Sequence, residues 1–410
     1  MSKRAWQLRA NTILRLGARG QPVVWLQKRL EALGYDVEAV DGHYGYLTED
    51  SVCALQKTFG LPVDGVVGPQ VLELLMDDEV IDGAHAGGVP QMDLWGGIIP
   101  APNEGPPVGV NWESYQRLRG LFLQCCQLDI SGELLLDVPA DVYGPLAKQV
   151  ELIPLITNLE TDLYNADILH GLLRSRHSRR RFLTEVKRLA ESRIYSGIAV
   201  DLHGIEMGYG RRLTVVIKNI WNILQKCRKK LYLTLVPSEG PNPFPPHTDH
   251  SIWTKLAHRV ILHPFGEYIT GTPGPRVGWN SLHTLLPKIS QQIPTWRLIV
   301  TLPLGGIAWV VGGGLREYIY YPYDELRTKA YEKRARLQSD AVEKVPYYDF
   351  REGGKRLRMW YENHDSLEVK LTWLSQQHIA GVILMPLGWE DGRIWQAGSI
   401  FQYSLRGSGI

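Results

Sequence analysis

The chain has 410 residues, 44% of them hydrophobic and 21% charged. Those are the proportions of a folded protein with room for two or three domains and a large core. Its 45 Lys and Arg nearly balance 43 Asp and Glu, a net charge of +2, which excludes the broad positive field of a dedicated nucleic-acid surface.

The opening stretch "MSKRAWQLRANTILRLG" is basic but lacks an apolar core. A secretory signal is therefore not expected, and synthesis in the cytoplasm is. No run approaches the length of a membrane span. The four cysteines (Cys53, Cys125, Cys126, Cys227) have no metal-ligand spacing, so neither a metal nor another cofactor is expected.

A compact module is predicted over residues 12–76. "QPVVWLQKRLEALGY" places Val23, Val24, Leu26, Leu30 and Leu33 at helical period, closed by Gly34. "VDGHYGYLT" follows as a turn, with Thr48 a candidate cap for the helix "EDSVCALQKTF". After it, "DGVVGPQVLELL" repeats the Asp-Gly turn and leads into a third helix.

These landmarks carry a resemblance. Leu16-Gly17, Gly20, Leu26-Gln27, Leu33-Gly34-Tyr35, Asp41-Gly42, Tyr44-Gly45, Gln56, Gly60-Leu61 and Asp64 to Pro69 resemble the peptidoglycan-binding type 1 domain. The resemblance implies a partner, peptidoglycan or a related N-acetylglucosamine-containing glycan. His43, Tyr44 and Tyr46, expected to be exposed between the helices, are the candidate contacts. Residues 77–91 are small and polar, as in a linker.

From residue 92 to 410, short apolar runs alternate with amphipathic segments. Strands are predicted at "LWGGII", "LFLQCCQLDI", "VELIPLIT", "SGIAVDLHGI", "LYLTLVP", "RVILHPF", "RLIVTLPL" and "AGVILMPLG". Eight buried strands with helical crossovers predict an α/β fold, a (β/α)₈ TIM barrel with its chemistry at the C-terminal strand ends. Residues 308–361 are too long for a crossover and predict a small inserted α+β unit. The run "RSRHSRRRF" (Arg174–Phe182) is read as a solvated helix face.

Late in the chain, "VPYYDFREGGKRLRMWYENHDSLEVKLTWLSQQHIAGVILMPLG" has the element order of glycoside hydrolase family 18, in the branch of spore-cortex-lytic N-acetylglucosaminidases, and "LIPLITN" agrees in position. The chain is similar to that branch over roughly residues 92–400. The resemblance implies a general acid Glu on the fourth strand, with the substrate's own acetamido oxygen as nucleophile. It also implies an orienting Asp two residues before the acid, a Tyr after the sixth strand and a floor Trp on the eighth.

This sequence departs at those points. Where the family writes Asp-Gly-x-Asp-x-Asp-x-Glu, it has Ser196-Gly197-Ile198-Ala199-Val200-Asp201-Leu202-His203. The inner Asp is kept as Asp201; the acid position is His203, and the position four before it is Ala199. At the sixth strand, His263-Pro264-Phe265-Gly266 lacks the Tyr hydroxyl, and Met385 stands where the floor Trp is expected.

The expected function is a wall or spore-cortex glycan binder on a scaffold that has lost the family's hydrolysis. Phe265, Met385 and Trp389 are its candidate barrel contacts. Trp95, Trp279, Trp309 and Trp360 are further stacking candidates, and other spore or wall proteins are further candidate partners. The alternative is an active hydrolase with Glu206 or Glu267 as relocated acid. The plain structural reading of Asp201 is an interior carboxylate satisfied by backbone or by His203. Location at the spore coat, cortex or cell wall is expected from the branch alone.

Overall fold

The computed structural model describes residues 12–37, 39–84, 92–99, 112–136, 146–160, 163–238, 242–265, 273–311, 318–396 and 399–403. The chain divides into two compact units. Met1–Met92 form the first with Pro294–Trp296 and Leu374–Ala380, and the remainder forms the second.

The first unit carries α1 (Gln21–Ala32), α2 (Tyr46–Thr58), α3 (Pro69–Met76) and α4 (Asp78–Ala84). The fourth helix stands in the stretch expected to be a linker. Of the apolar stripe read from the sequence, Val23, Leu26 and Leu30 are fully buried, Leu33 is buried and Val24 half-buried; Val52, Leu55, Leu74 and Leu75 complete the module's core. Each fully buried side chain contributes about 1.5–3 kcal/mol by leaving water. Helix α2 starts earlier than expected, with Gly45 as its N-cap. Thr48 is therefore not the cap. It lies buried in the first turn, where its hydroxyl is 3.4 Å from Gln27 Nε2.

The two Asp-Gly turns are held by one device used twice. Gln27 Nε2 donates to Asp41 Oδ1 (2.9 Å) and to the His43 carbonyl (3.1 Å), while its Oε1 accepts from Gly42 N (2.8 Å). Gln56 repeats this, donating to Asp64 Oδ1 (2.7 Å) and the Val66 carbonyl (3.0 Å) and accepting from Gly65 N (2.9 Å). Gly42 and Gly65 sit at φ 73° and 66°, where a side chain is strained. A Cβ there would also come within 2.8 Å of Val24 or Glu49 side-chain carbons.

In the second unit, eight strands of a nine-stranded sheet form the barrel: β1 (Asp93–Ile98), β2 (Gly120–Leu128), β3 (Glu151–Thr157), β4 (Gly197–Asp201), β5 (Lys230–Leu235), β6 (Arg259–Leu262), β7 (Leu298–Pro303) and β8 (Gly381–Met385). Each pairs in parallel with its barrel neighbours, and the ninth, Leu134–Leu136, pairs antiparallel with β2. Strand β1 bonds both β2 and β8, which closes the barrel. All eight coincide with apolar runs picked out from the sequence.

Trp95 on β1 is buried against Phe122 and Tyr232, with ring centroids 5.1 and 6.1 Å away. It is core, not the stacking surface considered from the sequence. Outside the strands lie α5 (Ala166–Arg174), α6 (Arg176–Glu191) and α7 (Gly210–Cys227). The α+β insertion between β7 and β8 is a five-stranded antiparallel sheet from Gly306 to Tyr361 with one helix, α8 (Tyr323–Glu332). One sheet face packs Tyr348, Phe350, Met359 and Tyr361 with Leu326 and Ala330 of α8. The other face buries Trp309 and Trp360, so these two are also core.

Replacing Gln27 or Gln56 by Ala strands a buried glycine N–H and should cost about 1–3 kcal/mol. Hydrogen exchange of α1–α3 amides should accelerate accordingly while barrel-strand amides keep their protection. Unchanged exchange in α1–α3 would show that the clamps do not hold the module.

Candidate functional site

Strand β4 is buried throughout and delivers Asp201 to the C-terminal mouth of the barrel. Parallel register sets Thr157 of β3 beside it. Thr157 Oγ1 donates to Asp201 Oδ2 at 2.8 Å, and Thr234 Oγ1 of β5 donates to Oδ1 at 2.6 Å. A small hairpin after β3, pairing Leu159–Glu160 with Leu163–Tyr164, brings the Tyr164 hydroxyl to 3.0 Å from Oδ1. Three hydroxyls thus solvate one buried carboxylate.

His203 closes the network. Its Nε2 is 2.7 Å from Thr234 Oγ1 and 3.2 Å from Asp201 Oδ1. Thr234 Oγ1 also lies 3.2 Å from the Val200 carbonyl. The Nε2 edge of His203 is thus directed inward, at Thr234 and Asp201. The His203 backbone is fixed by Asn158, whose Oδ1 accepts from His203 N at 3.0 Å and whose Nδ2 donates to the His203 carbonyl at 2.9 Å. The Tyr164 ring meets the imidazole edge-on at 4.7 Å.

Burial alone would raise the Asp201 pKa, but the hydrogen bond and charge of His203, the charge of His263 and the Thr234 hydroxyl outweigh it. The carboxyl is held below the ordinary carboxylate range. Burial and then the Asp201 charge push the Tyr164 phenol up, so it stays a donor. His263, just past β6, is pushed down to about 4, chiefly by burial and despite the attraction of Asp201. Its Nδ1 is buried without a hydrogen-bond partner among the described residues.

The network draws on residues that the sequence reading had not assigned: Thr157, Asn158, Tyr164 and Thr234. A polar Thr-Asn pair ending an apolar strand, and a lone Thr inside "LYLTLVP", were the available signals. Asp201 is satisfied by hydroxyls and His203; no backbone bond to its carboxylate is needed.

The other candidates fall in different places. Ala199 is fully buried. Phe265 is half-buried, stacked on His263 at 5.6 Å with the Arg276 guanidinium 5.0 Å from its centroid. Met385 ends β8 and fills the space a Cβ on Gly97 would take. Trp389 is half-buried beside Gly305, after β7. Trp279 is half-buried against His283, 3.9 Å between ring centroids, with Lys344 Nζ 3.8 Å from its ring centroid.

Glu206 is exposed, and its carboxylate lies 3.8 Å from His170 Nδ1 rather than among the partners of Asp201. Glu267 lies outside the described residues. In the module, Tyr44 is not exposed: it is fully buried, its hydroxyl donating to the Gly65 carbonyl at 2.7 Å. His43 is half-buried, and Tyr46 is 74% exposed. Among the described residues, no group of three or more His, Cys, Asp or Glu is placed to hold a metal ion. Nor is any helix among them long and apolar enough to cross a membrane.

A buried neutral histidine makes stability pH-dependent. Between about pH 6.5 and 4 the unfolded chain binds a proton that folded His263 refuses. Stability therefore falls as pH drops through that window, by up to an order of 3 kcal/mol. His250, also pushed down by burial, acts with the same sign. Asp201 adds its loss only below about pH 3.8. The thermal midpoint of the native protein should fall from pH 6.5 to 4 more steeply than that of His263→Gln. Parallel slopes would remove His263 from the account.

Residues 19–75 match the family described as "Putative peptidoglycan binding domain". Within this part the chain is 37% identical over 67 residues to a spore cortex-lytic enzyme of Bacillus cereus, 16% of this chain and 26% of that protein. The match thus spans about a quarter of that relative. Over 280 residues the chain is 22% identical to "Uncharacterized glycosylase YvbX" of Bacillus subtilis, covering 65% of this chain and 80% of that one.

Among solved structures, the spore cortex-lytic enzyme SleL of Bacillus megaterium superposes with a TM-score of 0.65 at 14% identity, over 83% of this chain and 82% of that chain. A chitinase of Chromobacterium violaceum gives 0.64 at 17% identity, over 78% and 99%. At these identities the likeness establishes the fold. The chain carries a peptidoglycan-binding domain at its N-terminus and, after it, a (β/α)₈ barrel of the fold found in SleL and in chitinases.

Proposed function

We propose that this protein binds glycan of the bacterial cell wall, peptidoglycan or spore cortex, and that its barrel does not hydrolyse what it holds. The relatives named for spore-cortex lysis and for glycosylase activity support a wall glycan as the ligand. The N-terminal domain supports the same ligand independently.

One observation carries the loss of hydrolysis. At the position where the resembling family keeps its proton-donating Glu, His203 has its Nε2 turned inward, 2.7 Å from Thr234 Oγ1 and 3.2 Å from Asp201 Oδ1. A positioned general acid contributes roughly a hundred- to ten-thousand-fold to such a reaction. Asp201, the acetamido-orienting candidate, is already occupied by three hydroxyls. Ala199, Phe265 and Met385 remove the remaining polar and stacking groups that the resemblance calls for. Phe265, Met385 and Trp389, all following C-terminal strand ends, then serve as groove contacts, with His43 and Tyr46 serving in the module.

Full-length protein mixed with purified peptidoglycan should co-sediment with it while the turbidity of the suspension stays constant. Tyr46→Ala should weaken retention by about two- to tenfold, the worth of one aromatic contact. Clearing of the suspension would overturn the non-hydrolytic reading; failure to co-sediment would overturn the wall ligand itself.

A further inference from the structure

The basic run read from the sequence as a solvated face does more than cover a helix. Arg174 ends α5, and Arg176 and Arg180 lie in the first turns of α6. Arg211 and Arg212 lie in the first turn of α7, and all five are exposed. Among the described residues none of the five makes an ion pair with a carboxylate; Asp167 and Glu206 only act on Arg174 at longer range. Neither α6 nor α7 has an acidic residue in its first turn, where the helix dipole favours one. In a chain of net charge +2 these helix ends carry guanidinium groups with no directly paired carboxylate among the described residues.

Two of the five converge on one aromatic ring. The guanidinium carbons of Arg174 and Arg212 lie 5.4 and 5.6 Å from the Tyr209 ring centroid, and Arg174 Nε donates to the Tyr209 hydroxyl. Beneath, the buried His170 stacks on Tyr209 at 4.4 Å. The same imidazole accepts from Glu206 N at 3.3 Å through Nε2, which pins the 202–209 loop. This is the loop that follows Asp201 and His203, so the platform lies on the same rim of the barrel as the candidate site.

We propose that this rim is a carboxylate-recognition surface that takes the acidic stem peptides of peptidoglycan. The inference rests on the wall-binding reading above and adds the chemical class of what the barrel rim distinguishes. A bare N-acetylglucosamine polymer is neutral and offers guanidinium groups no charge to pair with. Stem peptides carry free carboxylates, which match the planar fork of arginine. A rim held rigid by His170 and Tyr209 binds with less ordering cost than free side chains would.

The test uses full-length protein and two forms of one material: sacculi freed of teichoic acid, and the same sacculi with their stem-peptide carboxylates converted to neutral amides by carbodiimide and ammonia. Native protein should bind the intact sacculi about three- to tenfold more tightly, the worth of a few exposed charge pairs. The advantage should shrink as salt is raised. Arg174→Gln/Arg212→Gln should lose the advantage yet match native protein on amidated sacculi, with an unchanged thermal midpoint. Arg174→Lys/Arg212→Lys should keep part of it. Equal native binding to both materials would overturn the inference and leave the wall ligand standing, as would equal weakening of the Gln variant on both. Tighter native binding to isolated teichoic acid than to sacculi would assign the surface to phosphodiesters and overturn it too. Binding to neither form of sacculus would instead fell the wall reading itself.

Discussion

An ionised carboxylate sealed inside a barrel must be solvated by the protein, and Asp201 sets that requirement here. Water is replaced by hydroxyls from three separate elements: Thr157 on β3, Tyr164 on the hairpin after it and Thr234 on β5. His203 Nε2, 3.2 Å from Oδ1, completes the shell. Removing one partner of such a buried charge typically costs about 3–5 kcal/mol, so these residues hold one another in place. The register of β3, β4 and β5 is tied to that arrangement. The proposed loss of hydrolysis rests on the same constraint, since the Asp201 carboxylate and the His203 imidazole are turned toward each other.

The N-terminal module meets a comparable problem with neutral groups. Its Asp-Gly turns bury backbone N–H groups that the helices cannot satisfy, and Gln27 and Gln56 reach from α1 and α2 to do so. A primary amide is suited to this, since it donates and accepts at once. The resemblance to a wall-binding domain and the turn geometry thus have one physical cause: the same glutamines and glycines that mark the family make the fold.

The eight barrel strands and the three main module helices were legible because each is a local pattern, an apolar run or a 3.6-residue stripe bounded by turn residues. Of the network around Asp201, only Asp201 and His203 were picked out from the sequence, where a resemblance aligned single positions. The partners of Asp201 were not, because Thr157, Tyr164 and Thr234 lie 44, 37 and 33 residues away and meet it only through sheet register. Tyr44 was misread for a similar reason. Its neighbours His43 and Tyr46 face outward to different degrees, but a distant carbonyl, Gly65, captures the Tyr44 hydroxyl and draws the ring into the core. The tryptophans show the limit of composition as a guide, since Trp95, Trp309 and Trp360 spend their area on packing. The arginine run was visible, but its convergence with Arg212 on Tyr209 needed the packing of α5 against α7's N-terminal turn.

The most direct test of the central claim is a crystal structure of the native protein after prolonged exposure to an N-acetylglucosamine oligosaccharide. The account predicts an uncleaved chain across the strand ends, with Asp201 still bonded to Thr157, Tyr164 and Thr234. A cleaved sugar, or an Asp201 carboxylate that has left its hydroxyls to meet an acetamido group, would contradict it.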